Sequence, residues 1–446
     1  MMYCRVANNL SWMHVSLTMN ILLIERNPFI PPAVPISIAH IAAFLRSHGF
    51  NVDIINIGEN TPFSLNLLDS YIRDVKLGLV GFSTYQRNIL FVIGIADYIK
   101  SIAPEIKIVI GGPQATFIPS SALEPVGSID FICRGEGEIV MLKIAETIRD
   151  KGKDTIIPGT SCRCEDGLFY DGPQVEPYRD LDLYPSPYLE DDLLNLSRLQ
   201  EAILLTSRGC PYGCIFCYTP NAFKRRVRFH SLERVMEEIA WLSRKGIKKF
   251  WFADPSFSIN IERVERLMEE IIKKGLKLQI WLETRADLIN NELLKKMKAA
   301  GVYLIAYGLE SASEKVLAGL RKDISLDDMR KAIRLTQKEG IDVELFTQYG
   351  LPGETFADAM ETFKFLKDND VKIRGNSNSQ QMQVYFGTEV FASYQKYGIR
   401  PIERNNPPYI SIGKQYETDY LSSHEIKKIG TIWEGESLDG VKRKVS

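Results

Sequence analysis

The chain has 446 residues, of which 45% are hydrophobic and 25% are charged. This composition excludes a disordered, collagenous or disulfide-scaffold protein, and the length favours two or more domains. Lys and Arg number 55 against 56 Asp and Glu, a formal net charge of -1, so no global positive field indicates nucleic-acid binding. The longest apolar run, 89–96, is far shorter than the roughly 20 residues of a membrane-spanning helix.

The first 19 residues predict a disordered extension. They lack a basic region followed by an unbroken apolar core, so they do not resemble a secretion signal. The chain contains 7 cysteines, too few for a disulfide framework in a protein of this size. A reducing, cytoplasmic location is therefore expected.

Residues 20–151 alternate short β-rich runs with longer helical ones. The predicted strands are 21–24, 52–57, 77–83, 107–110 and 131–134, and the predicted helices are 36–48, 65–76, 89–102 and 138–151. This alternation is typical of an α/β domain with a doubly wound, Rossmann-like parallel sheet.

A proline-rich segment, 152–200, interrupts the alternation and predicts a linker between domains. A second βα series over 201–390 predicts a partial (β/α)6 TIM-type barrel. Its strands are expected at 202–206, 250–253, 278–283, 303–309, 342–348 and 381–385, and its helices at 232–245, 261–274, 291–300, 314–320, 327–339 and 356–368. The tail, 391–446, has one predicted helix, 423–433, and no assignable chemistry.

Three cysteines, Cys210, Cys214 and Cys217, lie in a loop just past the first strand of the second series. Loops after the strands of parallel α/β folds gather ligands, and thiolates bind zinc or iron–sulfur clusters. A structural zinc site normally has four protein ligands, and the nearest further candidate in sequence is His230. Glycine and proline between the cysteines indicate a tight loop rather than a packed core element. An iron–sulfur cluster is therefore favoured over zinc and over buried core cysteines.

The Cys-x3-Cys-x2-Cys segment resembles the signature of the radical S-adenosylmethionine (SAM) superfamily. Further runs that resemble the family are 225–231, 237–239, 252–257, 307–311 and 350–355. The resemblance implies that the three thiolates bind a [4Fe-4S] cluster whose fourth iron holds SAM. Reductive cleavage of SAM would then give methionine and a 5′-deoxyadenosyl radical, with the protein orienting the cofactor and excluding water.

Polar residues near the ends of the predicted barrel strands are candidates for orienting SAM, and Tyr218 follows the last cysteine closely enough to contact its adenine. For each of them, a rim ion pair, a loop cap or simple packing is the alternative interpretation. The candidates are Tyr218, Asp254, Glu283, Arg285, Glu310 and Gln348.

The first domain resembles the cobalamin-binding domain that precedes the barrel in one branch of this superfamily. The resemblance rests on four stretches that follow predicted strands, 31–37, 81–84, 111–116 and 134–138. Glycines at strand ends allow a large flat ligand to approach the backbone closely. The implied cobalamin contacts are Ser83, Thr84, Gly111, Gly112, Gln114, Gly135, Glu136 and Gly137. The Asp-x-His-x-x-Gly motif that supplies a histidine to cobalt in some cobalamin enzymes is absent from the sequence.

These resemblances imply a cobalamin-dependent radical enzyme that methylates an unactivated carbon, with cobalamin held between the domains and facing the cysteine loop. A radical oxidation, cyclisation or rearrangement without methyl transfer is the alternative within enzymes. A non-catalytic cofactor-binding or sensory protein is the remote one. The substrate, whether small molecule, lipid or peptide, stays unknown, and an electron donor such as flavodoxin or ferredoxin is the expected partner.

Overall fold

The computed structural model describes residues 19–28, 33–150, 156–190, 193–196, 199–371, 379–402 and 406–442, with side chains of the last helix described up to residue 435. Of the expected extension, only Met19 is within these ranges. Residues 31 and 32 of the first cobalamin-like stretch also lie outside the described residues.

The first domain is a seven-stranded sheet with helices on both faces. Its strands are β1 Asn20–Asn27, β2 Asn51–Gly58, β3 Leu77–Ser83, β4 Lys107–Gly111, β5 Phe131–Cys133, β6 Thr160–Arg163 and β7 Phe169–Asp171. Its helices are α1 Ile36–Ser47, α2 Leu65–Asp74, α3 Ile89–Ile102, α4 Pro113–Phe117 and α5 Gly137–Arg149. The strand order is β2-β1-β3-β4-β5-β6-β7, and β1 to β5 are parallel. This confirms the predicted doubly wound, Rossmann-like sheet.

The two faces of this sheet bury separate hydrophobic cores. On β1, Leu22 and Ile24 belong to one core, whereas Ile21 and Leu23 belong to the other. Side chains alternate between the faces of a strand, so a strand covered on both sides is apolar throughout. This explains why the sequence of β1 is apolar without interruption from Ile21 to Ile24.

The segment predicted as a linker is partly ordered as sheet. Within 152–200, β6 pairs antiparallel with β5, and β7 pairs antiparallel with β6, so a hairpin extends the edge of the first sheet. Both strands are only three or four residues long, too short to show the alternation of apolar and polar residues that identifies a strand. The prolines on either side also indicate irregular structure rather than sheet.

The second domain is a curled sheet of six parallel strands, which confirms the predicted partial barrel. Its strands, with one short hairpin pair, are β8 Glu201–Leu204, β9 Ser207–Arg208, β10 Arg228–Phe229, β11 Lys249–Phe252, β12 Gln279–Thr284, β13 Val302–Glu310, β14 Asp342–Tyr349 and β15 Ser379–Gln381. Its helices are α6 Thr219–Ala222, α7 Leu232–Arg244, α8 Ile261–Lys273, α9 Asn291–Ala300, α10 Glu314–Gly319, α11 Leu326–Lys338, α12 Phe356–Asp368 and α13 Glu389–Ala392. The barrel order is β15-β14-β13-β12-β11-β8, and β9 pairs antiparallel with β10.

The described residues of the tail pack against both domains. It contains β16 Ile399–Pro401, β17 Tyr416–Thr418 and α14 Ser423–Lys442, which extends the predicted helix. Trp433 of α14 packs edge-on against Tyr349 at the end of β14. Ser411 donates its backbone N–H to Gln86 Oε1 of the first domain at 3.1 Å. None of the helices in the described ranges has the length and apolar character that a membrane crossing requires.

Candidate active site

A cavity of about 510 Å³ lies where the strand-end loops of the two domains meet. Its walls include Ser83, Gly111, Gly112, Gly135, Glu136 and Gly137 from the first domain and Ser207, Arg208, Gly209, Tyr218, Trp251 and Ala253 from the second. Ligands of parallel α/β domains bind at the carboxyl ends of the strands. The structure therefore brings the predicted ligand-binding edges of both sheets to one cavity. The turn at Gly111 and the start of the cysteine loop lie in its wall.

Three glycines of the first-domain wall are packed too closely against their neighbours to carry a side chain. Gly112 has φ +92°, and a β-carbon there would lie 3.1 Å from the backbone N and O of Thr84. A β-carbon on Gly81 would lie 2.7 Å from Leu23 Cδ2, and one on Gly137 would lie 2.7 Å from an Ile41 methyl group. A wall of this kind fits the close approach of a large flat ligand such as a corrin.

Two of the predicted cobalamin contacts do not line the cavity. Thr84 is completely buried behind Gly111 and Gly112, and its backbone N–H donates to Gly111 O at 2.8 Å. Gln114 donates its side-chain amide to Gln86 Oε1 at 3.2 Å and to the carbonyl of Tyr409 in the tail at 2.9 Å. These contacts show that Gln114 joins the first domain to the tail.

The cysteine loop begins at a position that only glycine can occupy. Gly209 has φ +96°, and a β-carbon there would lie 2.0 Å from the carbonyl oxygen of Arg226. The chain can therefore pass from β9 into the loop only with glycine at this point. Cys210, Cys214 and Cys217 are all unpaired and partly exposed.

The electrostatic surroundings of the thiols are mixed. Burial raises the pKa of Cys214 to about 11, while the nearby ammonium of Lys322 acts in the opposite direction. No set of three His, Cys, Asp or Glu side chains in the described part of the chain is placed to bind a single metal ion. In a [4Fe-4S] cluster each cysteine binds a different iron, and three cysteines in one loop match the three protein ligands of a cluster whose fourth iron stays open.

A charged pair lies close to the cysteine loop, formed by Glu310 at the end of β13 and Lys322 after α10. Lys322 Nζ is 2.8 Å from Glu310 Oε1, and Gln348 Nε2 donates to Glu310 Oε2 at 2.7 Å. Glu310 has a positive φ of 64°, a conformation that is strained in a residue other than glycine. The structure thus brings together Glu310 and Gln348, two of the predicted SAM residues, and adds Lys322, which the sequence analysis missed.

Arg285, another predicted SAM residue, supports the cysteine loop. Its guanidinium lies 3.7 Å from the centre of the Tyr212 ring, in a cation–π contact. It also donates to the carbonyls of Lys322 and Asp323, both at 2.9 Å. Arg285 therefore joins Tyr212 of the loop to the backbone that carries Lys322.

Asp254 is a buried acid and Glu283 a half-buried one, and neither lines the cavity. Asp254 is fully buried and accepts hydrogen bonds from Thr206 Oγ1 at 2.7 Å and Ser207 N at 2.6 Å. Burial raises its pKa to about 6, although these hydrogen bonds act in the opposite direction. Burial raises the pKa of Glu283 to about 7. Asp254 thus fixes the end of the first barrel strand, from which the cysteine loop starts.

Arg208 is the main site residue that the sequence analysis missed. Its Nη1 is 2.7 Å from Glu136 Oε2, its Nη2 is 2.6 Å from Glu138 Oε1, and its guanidinium lies over the ring of Tyr184. No local pattern predicts such a pairing, because its partners lie 70 and 72 residues away. The only signal is the position of Arg208, directly before the glycine that opens the cysteine loop.

Fold and site together define a radical enzyme whose cysteine loop faces a second cofactor domain. Residues 204–366 match the radical SAM superfamily, and residues 31–145 match the B12 binding domain. The chain belongs to the cobalamin-dependent branch of the radical SAM superfamily, whose cofactors are a [4Fe-4S] cluster, SAM and cobalamin.

Individual proteins are similar to this chain over most of its length. An uncharacterized methyltransferase of Pyrococcus horikoshii is 29% identical over 345 residues, 76% of this chain and 74% of the relative. An anaerobic magnesium-protoporphyrin IX monomethyl ester cyclase of Rubrivivax gelatinosus is 28% identical over 346 residues, 75% of this chain and 62% of the cyclase. The radical SAM methyltransferase TsrM of Kitasatospora setae, solved with cobalamin and a [4Fe-4S] cluster, shares the fold with a TM-score of 0.76 and 18% identity, over 95% of this chain and 88% of TsrM.

Proposed function

We propose that the protein methylates an unactivated carbon of its substrate in a radical reaction that requires cobalamin. The observation that carries the proposal is the shared cavity, because a methyl donor and a radical source must both reach one carbon atom. When bound, the cluster with SAM supplies the radical, and cobalamin supplies the methyl group.

The residues of this chain have positioning roles in the proposal. Cys210, Cys214 and Cys217 hold the cluster, and Glu310 with its neighbour Gln348 orients the polar groups of SAM. Tyr218 and Arg285 are proposed to contact SAM or the loop that holds the cluster, and Asp254 and Glu283 to support this site from behind. The strand-end residues of the first domain contact the corrin, while the surrounding apolar walls exclude water. The proposed contacts are Ser83, Gly111, Gly112, Gly135, Glu136 and Gly137, which line the cavity, whereas Thr84 lies behind this wall and Gln114 binds the tail.

An electron donor and a reducing environment complete this proposal. Cleavage of SAM consumes one electron, which an acidic redox protein such as flavodoxin or ferredoxin would supply. The cysteine ligands must stay reduced, which favours the cytoplasm.

A radical reaction without methyl transfer is the second candidate. The similarity to the Rubrivivax cyclase favours it, because that protein is named for ring closure rather than for methylation. The two candidates differ in the fate of SAM, since methyl donation leaves S-adenosylhomocysteine whereas radical formation leaves 5′-deoxyadenosine.

One experiment separates these functions. The protein is loaded anaerobically with iron, sulfide and hydroxocobalamin, desalted, and then given SAM and dithionite. Retained corrin absorbance together with both 5′-deoxyadenosine and S-adenosylhomocysteine is the expected result. Formation of 5′-deoxyadenosine alone, with no corrin retained, would favour the second candidate. Absence of both products would support the non-catalytic alternative.

A further inference from the structure

An exposed basic turn follows the cysteine loop and includes Lys224, Arg225 and Arg226. We call these three residues the basic turn. All three are exposed, and Lys224 and Arg225 have positive φ values of 51° and 55°. This conformation is strained in residues other than glycine. The surrounding contacts therefore impose a defined shape on the turn.

The basic turn packs against the cysteine loop. A β-carbon on Gly213 would lie 3.0 Å from Arg225 Nη2, so the guanidinium rests directly on this glycine. The carbonyl of Arg226 fills the space beside Gly209. Gly213 is bonded to Cys214, so the exposed Arg225 lies against the residue that precedes a proposed cluster ligand.

The surface beside the turn is also positively charged. A cavity of about 1030 Å³ next to it has five cationic side chains in its wall, Arg134, Arg179, Lys224, Arg226 and Arg228, against three acidic ones, Glu136, Asp171 and Glu176. Lys224 Nζ is 2.7 Å from Glu176 Oε1, but this pair is half to two-thirds exposed. Exposed ion pairs are weak, so Lys224 remains able to exchange Glu176 for another acidic partner.

We propose that the basic turn is the docking surface for an acidic one-electron donor, a small flavin or iron–sulfur protein. The proposal rests on the function proposed above, which requires a reduced cluster. In the step concerned, the donor loses one electron and the [4Fe-4S]2+ cluster gains it to become [4Fe-4S]+, with no bond made or broken. A positive surface at this place attracts an acidic donor and brings it to the side of the loop that carries Cys214.

The test compares two matched triple variants. Lys224→Gln/Arg225→Gln/Arg226→Gln removes the basic turn. Lys273→Gln/Lys274→Gln/Lys277→Gln removes three exposed lysines at the end of α8 and in the loop before β12, at the opposite end of the barrel strands. Binding of an acidic flavodoxin to the cluster-loaded proteins is measured at low and high salt, and cluster reduction by the reduced flavodoxin is followed by absorbance.

The basic-turn variant is expected to bind flavodoxin at least tenfold more weakly at low salt, with a flatter salt dependence and a correspondingly slower cluster reduction. Reduction by dithionite should stay within about twofold of the wild type. The lysine control should behave as wild type in both assays. The single variant Arg225→Gln, with iron content as a check on folding, is expected to show a smaller loss in the same direction.

Equal flavodoxin binding by wild type and the basic-turn variant would overturn the docking proposal, and so would an equal loss in the lysine control. Binding of RNA or anionic vesicles instead of flavodoxin would also overturn it. Failure of the proposed function is a separate outcome, because the wild type would then not cleave SAM even with dithionite.

Discussion

Arg208 Nη2 lies 2.6 Å from Glu138 Oε1, in an ion pair whose side chains are only 10% and 5% exposed. Arg208 is two residues before Cys210, and Glu138 is in the first turn of α5, where a negative charge is favoured by the helix dipole. The pair therefore connects the start of the cysteine loop to the glycine-rich turn at residues 135–137. Both segments contribute to the wall of the same cavity.

Substitution of Arg208 should weaken the contact between the domains. Arg208→Ala leaves Glu138 without its buried partner, while Glu136 keeps its ion pair with Arg228. Removing one partner of a buried ion pair typically costs about 3 to 5 kcal/mol. We expect a lower denaturation midpoint and reduced corrin retention after desalting. Arg234→Ala is the control, because Arg234 pairs with Glu238 within α7 at similar burial and should not affect corrin retention. Equal corrin retention by wild type and Arg208→Ala would contradict this role.

Gly112→Val should expel the corrin and spare the cluster. The new side chain would press on the backbone of Thr84 behind the cavity wall and displace the turn at Gly111 and Gly112, in addition to the strain of a positive φ. Gly49→Val is the matched control, since Gly49 has φ +82° with no atom near its missing β-carbon, and it precedes β2 at the other end of the sheet. We expect at least a tenfold loss of retained corrin absorbance only in Gly112→Val, with iron content unchanged in both. An equal loss of retained corrin in the two variants would show that the backbone strain of a positive φ, and not the position of Gly112, is responsible.

Replacing Cys210, Cys214 and Cys217 together with Ala should abolish iron binding. We expect about four irons per chain and a brown chromophore in anaerobically purified wild type. The cluster should also be oxygen-labile, because it has only three protein ligands. Cys164→Ala, which removes a partly exposed cysteine next to β6, should leave the iron content intact. Zinc without iron in the wild-type protein would disprove the cluster assignment.

Glu310→Gln should weaken SAM binding without loss of the cluster. The substitution keeps the shape of the side chain but removes the charge that pairs with Lys322. Loss of a charged hydrogen-bonding group costs about 1.5 to 3 kcal/mol, or roughly 10- to 150-fold in the Kd of SAM. Iron content and the Kd measured by calorimetry check the prediction, and Glu314→Gln on the exposed start of α10 is the control. An unchanged Kd would mean that Glu310 has only a structural role.

Glu354 should make the stability of the protein depend on pH. Its Oε2 accepts the backbone N–H of Gly350 at 2.6 Å, and burial raises its pKa to about 8 from an ordinary value of 4.5. The folded state therefore binds a proton that the unfolded state has released. Its contribution to stability is complete below pH 4.5 and is lost as the pH rises through about 8, with a slope of up to about 1.4 kcal/mol per pH unit.

In Glu354→Gln this slope should disappear, because the amide has no proton to release. The free energy of unfolding of wild type and variant is measured with denaturant between roughly pH 5 and 9, so that the range extends below and above the pKa of Glu354. Parallel curves for the two proteins would show that Glu354 is ionised in the folded state.

Local structure was predictable from the sequence because its signals are local. The helix Asn291–Ala300 has the expected bounds, since Asn290 caps its start and Gly301 ends it in the left-handed conformation. The helix Phe356–Asp368 likewise starts at a capping box of Thr355 and Asp358. The thiol loop and the glycine-rich turns were found in the same way, because each depends on a few adjacent residues.

The pairings that assemble the site were decided only by the tertiary structure. Arg208 meets Glu138 across 70 residues, and Ser411 meets Gln86 across 325. Gln114, predicted to contact cobalamin, instead donates hydrogen bonds to Gln86 and to the tail, and these partners are also distant in sequence. An isolated arginine or glutamine in the sequence does not specify its partner, because any exposed polar side chain is equally well solvated until folding buries it. Which charges are buried together depends on how the two sheets and the tail pack, and that packing is a property of the whole chain.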